Sequence, residues 1–284
     1  MIIDFHTHIF PKAVKANRHH FFDGEPAFQL LYANKNSTII TADQLIQAMD
    51  KDGIDQSVVF GFPWKHSHYF KQNNDAVMEA VSKYPDRLLG LCCFDPFHAD
   101  SVKETERCLN AGLSGIGELA FYESGFDTET LKQLTPIMEI ARQKNKCVMI
   151  HTNEPVGHEY PGKAPLSLKE IYHMIQHFSE NIIILAHWGG GVFFYHLLKK
   201  DAKDVLKNVY VDTAASLYLY DLRIWSITCQ IIGSEKILFG TDYPLIAANR
   251  YFKQINNADI TEKDRENILG KNAAKLIQYL NVTA

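Results

Sequence analysis

Short apolar segments alternate along almost the whole chain with longer segments in which apolar residues recur every three or four positions. The short segments are typical of strands buried on both faces, and the longer ones are typical of helices with one buried side. The first strand begins almost at the first residue. We predict strands over residues 1–8, 57–61, 88–94, 113–118, 147–151, 182–187, 209–213 and 237–241. Helices are predicted over residues 41–53, 73–83, 101–111, 128–144, 166–178, 192–200, 218–232 and 261–280.

This alternation predicts an α/β fold in which helical crossovers connect parallel strands. A closed (β/α)8 barrel, the TIM barrel, explains eight such units most simply, and an open doubly wound sheet is the alternative. Residues 1–284 are expected to form a single domain. A polar, aromatic-rich excursion at about 11–38 is longer than an ordinary connection, so we expect it to cover the barrel mouth.

Composition narrows the function classes. The 284 residues are 46% hydrophobic and 22% charged with a net charge of −4, which predicts a soluble globular protein with no electrostatic attraction to nucleic acid or an anionic membrane. No stretch resembles a signal peptide, and no run of about 18 apolar residues occurs. The five cysteines are odd in number and lack Cys-x-x-Cys spacing, which indicates free thiols. We therefore expect a cytoplasmic protein.

Side chains that bind metals follow several predicted strands. His6 and His8 end the first strand on one face, roughly 6.6 to 7 Å apart. Four others end or follow later strands: Glu118, His151, His187 and Asp242. Each has an ordinary structural explanation, such as a capping group, a turn residue or a buried ion pair. In a closed barrel, however, the carboxyl ends of the strands meet at one mouth, so together they predict a metal site.

The motifs that contain these residues resemble the amidohydrolase superfamily of metal-dependent enzymes. They are Asp4-Phe5-His6-Thr7-His8, Ile150-His151-Thr152, Ala186-His187-Trp188-Gly189-Gly190, Phe239-Gly240-Thr241-Asp242-Tyr243-Pro244 and Gly270-Lys271-Asn272-Ala273-Ala274-Lys275-Leu276. The most similar branch contains the amidohydrolase 2 proteins and aminocarboxymuconate-semialdehyde decarboxylase. The resemblance implies a (β/α)8 barrel and a divalent metal, usually Zn²⁺, held by His6, His8, His151 and Asp242.

Two residues leave the number of metal ions open. The residue matching His187 is either a ligand of a second metal or a catalytic base in the superfamily. Many members with two metals carry a carboxylated lysine on strand four, but no lysine ends that strand here. Glu118 instead resembles the glutamate of TatD-type deoxyribonucleases, which binds or bridges metal. The resemblance therefore implies one or two ions.

Three functions are compatible with this site. The first is hydrolysis of an amide, ester or lactone by a metal-activated water, with Asp242 collecting a proton and His187 helping to polarise the carbonyl. The alternative is non-oxidative decarboxylation of a small carboxylic acid at the same ligands. A catalytically silent metal-binding scaffold is the third. We expect a small-molecule substrate, and the resemblance implies a homodimer.

Four residues of the βα loops are candidate substrate contacts, although solvated loop positions would explain them equally simply. They are Trp64, Glu154, His158 and Arg250. The three glycines from Gly189 to Gly191 suggest either a tight turn or backbone N–H groups that face an anion.

Overall fold

The computed structural model describes residues 1–281, in which eight parallel strands form one sheet in the order β1 to β8. The main chain also closes the sheet between its first and last strands. The N–H of Phe5 donates to the carbonyl of Phe239 at 2.7 Å, and that of Asp242 donates to the carbonyl of His6 at 3.0 Å. The expected (β/α)8 barrel is therefore confirmed. The strands are β1 (Ile3–His8), β2 (Gln56–Phe60), β3 (Leu88–Cys92), β4 (Gly115–Leu119), β5 (Cys147–Ile150), β6 (Ile182–Leu185), β7 (Val209–Asp212) and β8 (Ile237–Leu238).

Helices surround the barrel. They are α1 (Lys12–Ala16), α2 (Pro26–Tyr32), α3 (Ala42–Asp52), α4 (Ser67–Lys83), α5 (Ser101–Asn110), α6 (Thr128–Gln143), α7 (Leu168–His177), α8 (Tyr195–Leu198), α9 (Ala202–Val205), α10 (Ser216–Leu219), α11 (Ile224–Ile232), α12 (Ala248–Asn257), α13 (Glu262–Glu266) and α14 (Asn272–Asn281). Within residues 1–281, no helix combines the length and apolar character needed to cross a bilayer.

Local signals define the helix ends that were predicted well. Helix α3 begins with a capping box between Thr41 and Gln44, and it ends at Gly53, whose φ of 73° only glycine adopts without cost. Helix α7 begins with a second capping box between Ser167 and Glu170.

The predicted helices differ from the structure in the last third of the chain. The segment predicted as helix 192–200 contains the end of a 3₁₀ turn, His187–Phe194, and the four-residue helix α8. The helix predicted over 218–232 is interrupted at Tyr220, whose backbone is extended (φ −137°, ψ 151°). Helix α12 was not predicted. The final predicted helix consists of α13, a π turn over Asn267–Lys271 and α14.

Two apolar layers make up the core. One lies between the sheet and the outer helices, and the other fills the barrel. Because the interior is packed with side chains, space for chemistry is left at the barrel's ends. The interior residues on the strands or directly after them are Ile3, Phe5, Val58, Phe60, Leu91, Cys93, Cys147, Met149, Ile184 and Leu238.

The excursion after β1 consists of α1, a 3₁₀ turn over Arg18–Phe21 and α2, and it packs on the loop after β2. At the contact, the carboxylate of Glu25 accepts hydrogen bonds from the N–H groups of Lys65 at 2.9 Å and His66 at 2.8 Å. Glu25 is itself 1% exposed. The contact also contains an aromatic cluster of Phe10, Phe21, Phe28, Tyr32, Phe62 and Trp64.

Replacing Glu25 with alanine should lower the free energy of unfolding by about 2–3 kcal/mol, because two N–H groups lose a charged acceptor. Urea denaturation followed by circular dichroism would measure the loss. Asp23→Ala, an exposed position in the same turn, is the control and should change stability by less than about 0.5 kcal/mol. Equal stability of the two variants would show that Glu25 does not hold the excursion in place.

Candidate metal centre

The six predicted ligands lie together at the carboxyl-terminal mouth of the barrel. His6 and His8 are at the end of β1, Glu118 lies in β4, and the other three follow β5, β6 and β8. Within each of three overlapping trios, one ligand atom per residue lies within 4.8 Å of the others. The trios are His6–His8–Glu118, His6–His187–Asp242 and Glu118–His151–His187.

Glu118 occupies the centre of this group, and its two oxygens face different pairs of histidines. Oε2 lies 3.7 Å from Nε2 of His6 and 3.9 Å from Nε2 of His8. Oε1 lies 3.0 Å from Nδ1 of His151 and 3.5 Å from Nε2 of His187. One carboxylate therefore contacts both halves of the site.

Asp242 faces the two histidines of β1. Its Oδ1 lies 3.2 Å from Nε2 of His8 and 3.6 Å from Nε2 of His6. The residue has a φ of 63°, a left-handed conformation that aspartate tolerates better than most residues. Its N–H donates to the carbonyl of His6, so the barrel closure itself sets the position of the carboxylate.

His187 begins a left-handed turn that lies between β6 and the segment predicted as a helix from residue 192. Every residue from His187 to Gly191 has a positive φ. Position 190 requires glycine, since a Cβ there would lie 2.4 Å from the carbonyl oxygen of Asn153. The turn places Nε2 of His187 against Glu118. The three glycines are thus explained as a tight turn.

All four imidazoles are held on their outer side by an oxygen acceptor. The pairs are Nδ1 of His6 with Asp212 at 2.8 Å, Nδ1 of His8 with the Gly61 carbonyl at 3.0 Å, Nε2 of His151 with the Gly162 carbonyl at 2.8 Å and Nδ1 of His187 with the Ala214 carbonyl at 3.1 Å. Carbonyl and ionised carboxylate oxygens accept, so the outer nitrogen bears hydrogen, and in the neutral ring that a metal requires the inner nitrogen keeps its lone pair. Histidines that bind metals are oriented in this way.

Asp212 is a functional residue that the sequence analysis missed. It ends β7 and is fully buried. One carboxylate oxygen contacts Nδ1 of His6, and the other accepts from the N–H groups of His187 and Ala214 at 2.9 Å each. Asp212 thus orients ligands on two strands. Its position at the end of an apolar strand, like that of the predicted ligands, was a signal that could have identified it.

The residues fit a divalent cation. Nε2 of His6 is buried and, among the described residues, has no hydrogen-bond partner, although it faces two carboxylates. A buried polar atom without a partner is uncommon in a native protein. Imidazole nitrogen and carboxylate oxygen are the donors that Zn²⁺ accepts, and they also suit Mn²⁺.

A family model described as amidohydrolase matches residues 3–278 of the chain. The chain belongs to the amidohydrolase family. It is therefore an enzyme of that superfamily, as the sequence motifs suggested. No curated protein sequence gives a significant match.

Solved structures of the amidohydrolase fold align with the full barrel. The chain has a TM-score of 0.77 and 18% identity to 5-carboxyvanillate decarboxylase from Sphingomonas paucimobilis, with 98% of each chain covered. The Novosphingobium aromaticivorans 5-carboxyvanillate decarboxylase, solved with manganese and 4-hydroxy-3-methoxy-5-nitrobenzoic acid, gives 0.77 at 16% identity and covers 98% of this chain and 96% of that one. The 2,6-dihydroxybenzoate decarboxylase from Rhizobium gives 0.69 at 16% identity, with 98% of each chain covered. At these sequence identities, the similarity shows that the fold is shared and does not assign an activity to this chain.

The charges of this amidohydrolase site shift its pKa values strongly. Burial by itself lowers the pKa of His6, but the carboxylates of Asp212, Glu118 and Asp242 outweigh it and raise the pKa to about 10. Burial tends to raise the pKa of Glu118, yet His151 and His6 hold it well below its usual value. The pKa of Asp242 is also lowered, by His8, His6 and His187 against the effect of burial. Without a metal, the carboxylates are charged and protonated imidazoles balance them.

The predicted substrate contacts occupy different environments. Trp64 is fully buried and its indole N–H donates to Asn73, which favours packing over the substrate contact that we expected. Glu154 is held by Lys163 and Tyr160 within the loop after β5. The remaining two, His158 and Arg250, are exposed, and their substrate contacts stay predictions.

Tyr122 is a residue at the mouth that was not predicted. Its ring centre lies 5.4 Å from that of His151. Its place shortly after β4, at the same point of the repeat as the predicted loop residues, was the available signal.

Asp212→Asn should weaken binding of a divalent cation about 10- to 100-fold, because His6 loses the negative charge that orients its ring. Competition with a fluorescent chelator, using metal-stripped protein and added Mn²⁺ or Zn²⁺, would measure the change. Asp204→Asn, at an exposed position after α8, is the matched control. Wild-type affinity in Asp212→Asn would rule out this orienting role.

The metal-free protein should lose stability as the pH rises. The pKa of His6 is about 10 in the folded protein and about 6.5 in the unfolded chain, so its protonation stabilises the fold fully below pH 6.5 and ceases to do so as pH rises through 10. Urea unfolding between pH 6.5 and 10 should show a smaller decline in His6→Gln than in the wild type. His173→Gln, which removes an exposed histidine, should keep the wild-type decline.

Proposed function

We propose that this chain is a divalent-metal-dependent enzyme that catalyses non-oxidative decarboxylation of a small aromatic carboxylic acid. One observation supports the metal requirement: four imidazoles surround buried carboxylates, and the outer nitrogen of each imidazole is hydrogen-bonded to an oxygen acceptor. The decarboxylases of the same fold support this reaction over the hydrolysis expected first. In the proposed reaction, His6, His8, His151 and Asp242 hold the cation.

The mouth has groups suited to an aromatic acid. Tyr122, which is only partly buried, places its ring beside His151, with ring centres 5.4 Å apart. Below the mouth, the buried ring of Phe60 packs edge-on against His6 and His8 and supports them. A bound divalent cation would supply an electrophilic anchor for the substrate carboxylate or a neighbouring oxygen. The ring of Tyr122 beside that anchor would orient the ring of the substrate.

His187 is the proposed proton donor. Burial lowers its pKa, but the hydrogen bond and charge of Glu118 raise it above the ordinary value, which favours the protonated imidazole. When the bond between the aromatic ring carbon of the substrate and its carboxyl carbon breaks, the electron pair stays on that ring carbon. The proton of His187 then forms the new C–H bond, carbon dioxide leaves, and His187 takes another proton from water.

Hydrolysis of an amide, ester or lactone is the second candidate, and the central position of Glu118 favours it. The two oxygens of this carboxylate face separate histidine pairs, an arrangement suited to two cations. Asp242, whose pKa is lowered, would accept the proton of the attacking water. In this candidate Glu118 is a shared ligand, whereas in the decarboxylase it is the charge partner of His187.

Substrate panels should separate the two reactions. Metal-stripped protein is first reloaded with Mn²⁺ or Zn²⁺. With hydroxybenzoic acids as substrates, the release of carbon dioxide is measured. With esters, lactones and amides, the products are identified by mass spectrometry. We expect carbon dioxide release that falls at least about 100-fold without metal or in His187→Asn. Metal-dependent hydrolysis without carbon dioxide release would establish the second candidate instead. Stoichiometric metal with neither reaction would favour the scaffold function.

Metal content of Glu118→Gln gives an independent distinction. The decarboxylase proposal predicts one bound ion in both the wild type and the variant, because the ligands of the ion do not include Glu118. The hydrolase candidate predicts two ions in the wild type and a loss of one in the variant. Mass spectrometry of metals after dialysis would count them, with the exposed Glu180→Gln as control.

A further inference from the structure

The loop that follows β5 is closed on itself by Lys163. The ammonium of Lys163 lies 3.3 Å from Oε1 of Glu154 and 3.3 Å from each of the carbonyl oxygens of Val156 and His158. Its side chain is only 9% exposed. A charge removed from water in this way needs all of these partners. The loop therefore has a built internal support, unlike the exposed ion pairs of the outer surface.

Glu154 is satisfied on its other oxygen as well. The hydroxyl of Tyr160 donates to Oε2 at 2.8 Å. With both oxygens engaged inside the loop, the carboxylate has a structural role that accounts for its partial burial. This role replaces the direct substrate contact as our explanation of Glu154.

Gly162, next to Lys163, connects the loop to the metal centre. Its carbonyl accepts the hydrogen bond from Nε2 of His151 at 2.8 Å. A Cβ on Gly162 would lie 3.2 Å from Cδ2 of Leu31 in the excursion, and its φ of 96° favours glycine. The carbonyl is thus confined between the lysine-supported loop and the excursion.

We propose that Lys163 is a positioning residue of the metal centre. By pairing with Glu154 it holds the Gly162 carbonyl against Nε2 of His151, which keeps Nδ1 of the same ring directed at Glu118 and the cation site. The inference rests on the proposed function, since it assumes that a divalent cation binds here. Part of the affinity for the divalent cation would then depend on a loop that contributes no ligand.

Lys163→Met tests this because methionine keeps most of the apolar stem and removes the charge. Outer partners of metal ligands contribute about 10- to 100-fold to affinity, and here the carbonyl is loosened and not deleted, so we expect a loss of about 10-fold. Competition titration of metal-stripped protein with Mn²⁺ or Zn²⁺ measures it. Lys163→Arg should recover most of the affinity. Lys207→Met, which removes an exposed pair with Glu180 at 3.4 Å, should behave as wild type.

The hydrogen bond from Nε2 of His151 to Gly162 provides a second measurement that needs no metal. Exchange of the Nε2 proton with solvent, followed by ¹H–¹⁵N NMR of the metal-free protein with His151 assigned through His151→Gln, should be slow in the wild type and faster in Lys163→Met. If the methionine variant fails to fold, as judged by circular dichroism, Glu154→Gln removes the same charge pairing and should give the same change. In a folded double variant, the two losses should not add.

Wild-type affinity and wild-type exchange of the His151 Nε2 proton in folded Lys163→Met would overturn the positioning role while leaving the metal proposal intact. If the wild-type protein binds neither cation, the metal proposal fails, and an unchanged exchange rate in Lys163→Met would overturn the role of Lys163 separately. Faster exchange would support the conclusion that Lys163 holds the hydrogen bond between Gly162 and His151.

Discussion

The structure depends on bringing three carboxylates, Glu118, Asp212 and Asp242, into a mouth largely removed from water. An isolated buried carboxylate is strongly unfavourable, so each one needs positive charge and hydrogen bonds nearby. The imidazoles at the ends of the neighbouring strands provide both. Without metal their protons supply the charge, and a divalent cation would displace some of those protons. The same arrangement therefore stabilises the mouth and favours cation binding.

The sequence was informative where function resides in side chains at strand ends. His6, His8 and Asp242 could be found because they follow apolar strands in a regular repeat. Asp212 follows the same rule but was read as part of a buried strand. The carbonyl acceptors of Gly61, Gly162 and Ala214 could not be predicted, because every residue has a carbonyl and only the path of the loop decides where it lies. The left-handed turn from His187 to Gly191 was not predicted in that form, and the helix expected after it is reduced to the four residues of α8.

The barrel itself does not decide the reaction. Decarboxylases share it at under 20% identity, so the chemistry must follow from the groups placed at the mouth. Glu118 is the residue whose chemical role differs most between the two candidate reactions. Beside a single cation it would be the charge partner of His187, and between two cations it would be a shared ligand. Geometry alone places it at the right distance for both roles, because it contacts both histidine pairs.

Three of the four oxygens that accept hydrogen bonds from the outer nitrogens of the histidines belong to βα loops. A change in these loops can therefore alter the site. Loops are the parts of a barrel that adapt to a substrate, yet here they also orient the metal ligands. Leu31 of the excursion lies close enough to Gly162 that an added Cβ there would be 3.2 Å away, and the Gly162 carbonyl accepts from His151. A change in the excursion that alters the mouth would therefore also act on a candidate ligand. Under the proposed function, metal affinity and substrate preference would be coupled through these carbonyls, even when every ligand residue stays the same.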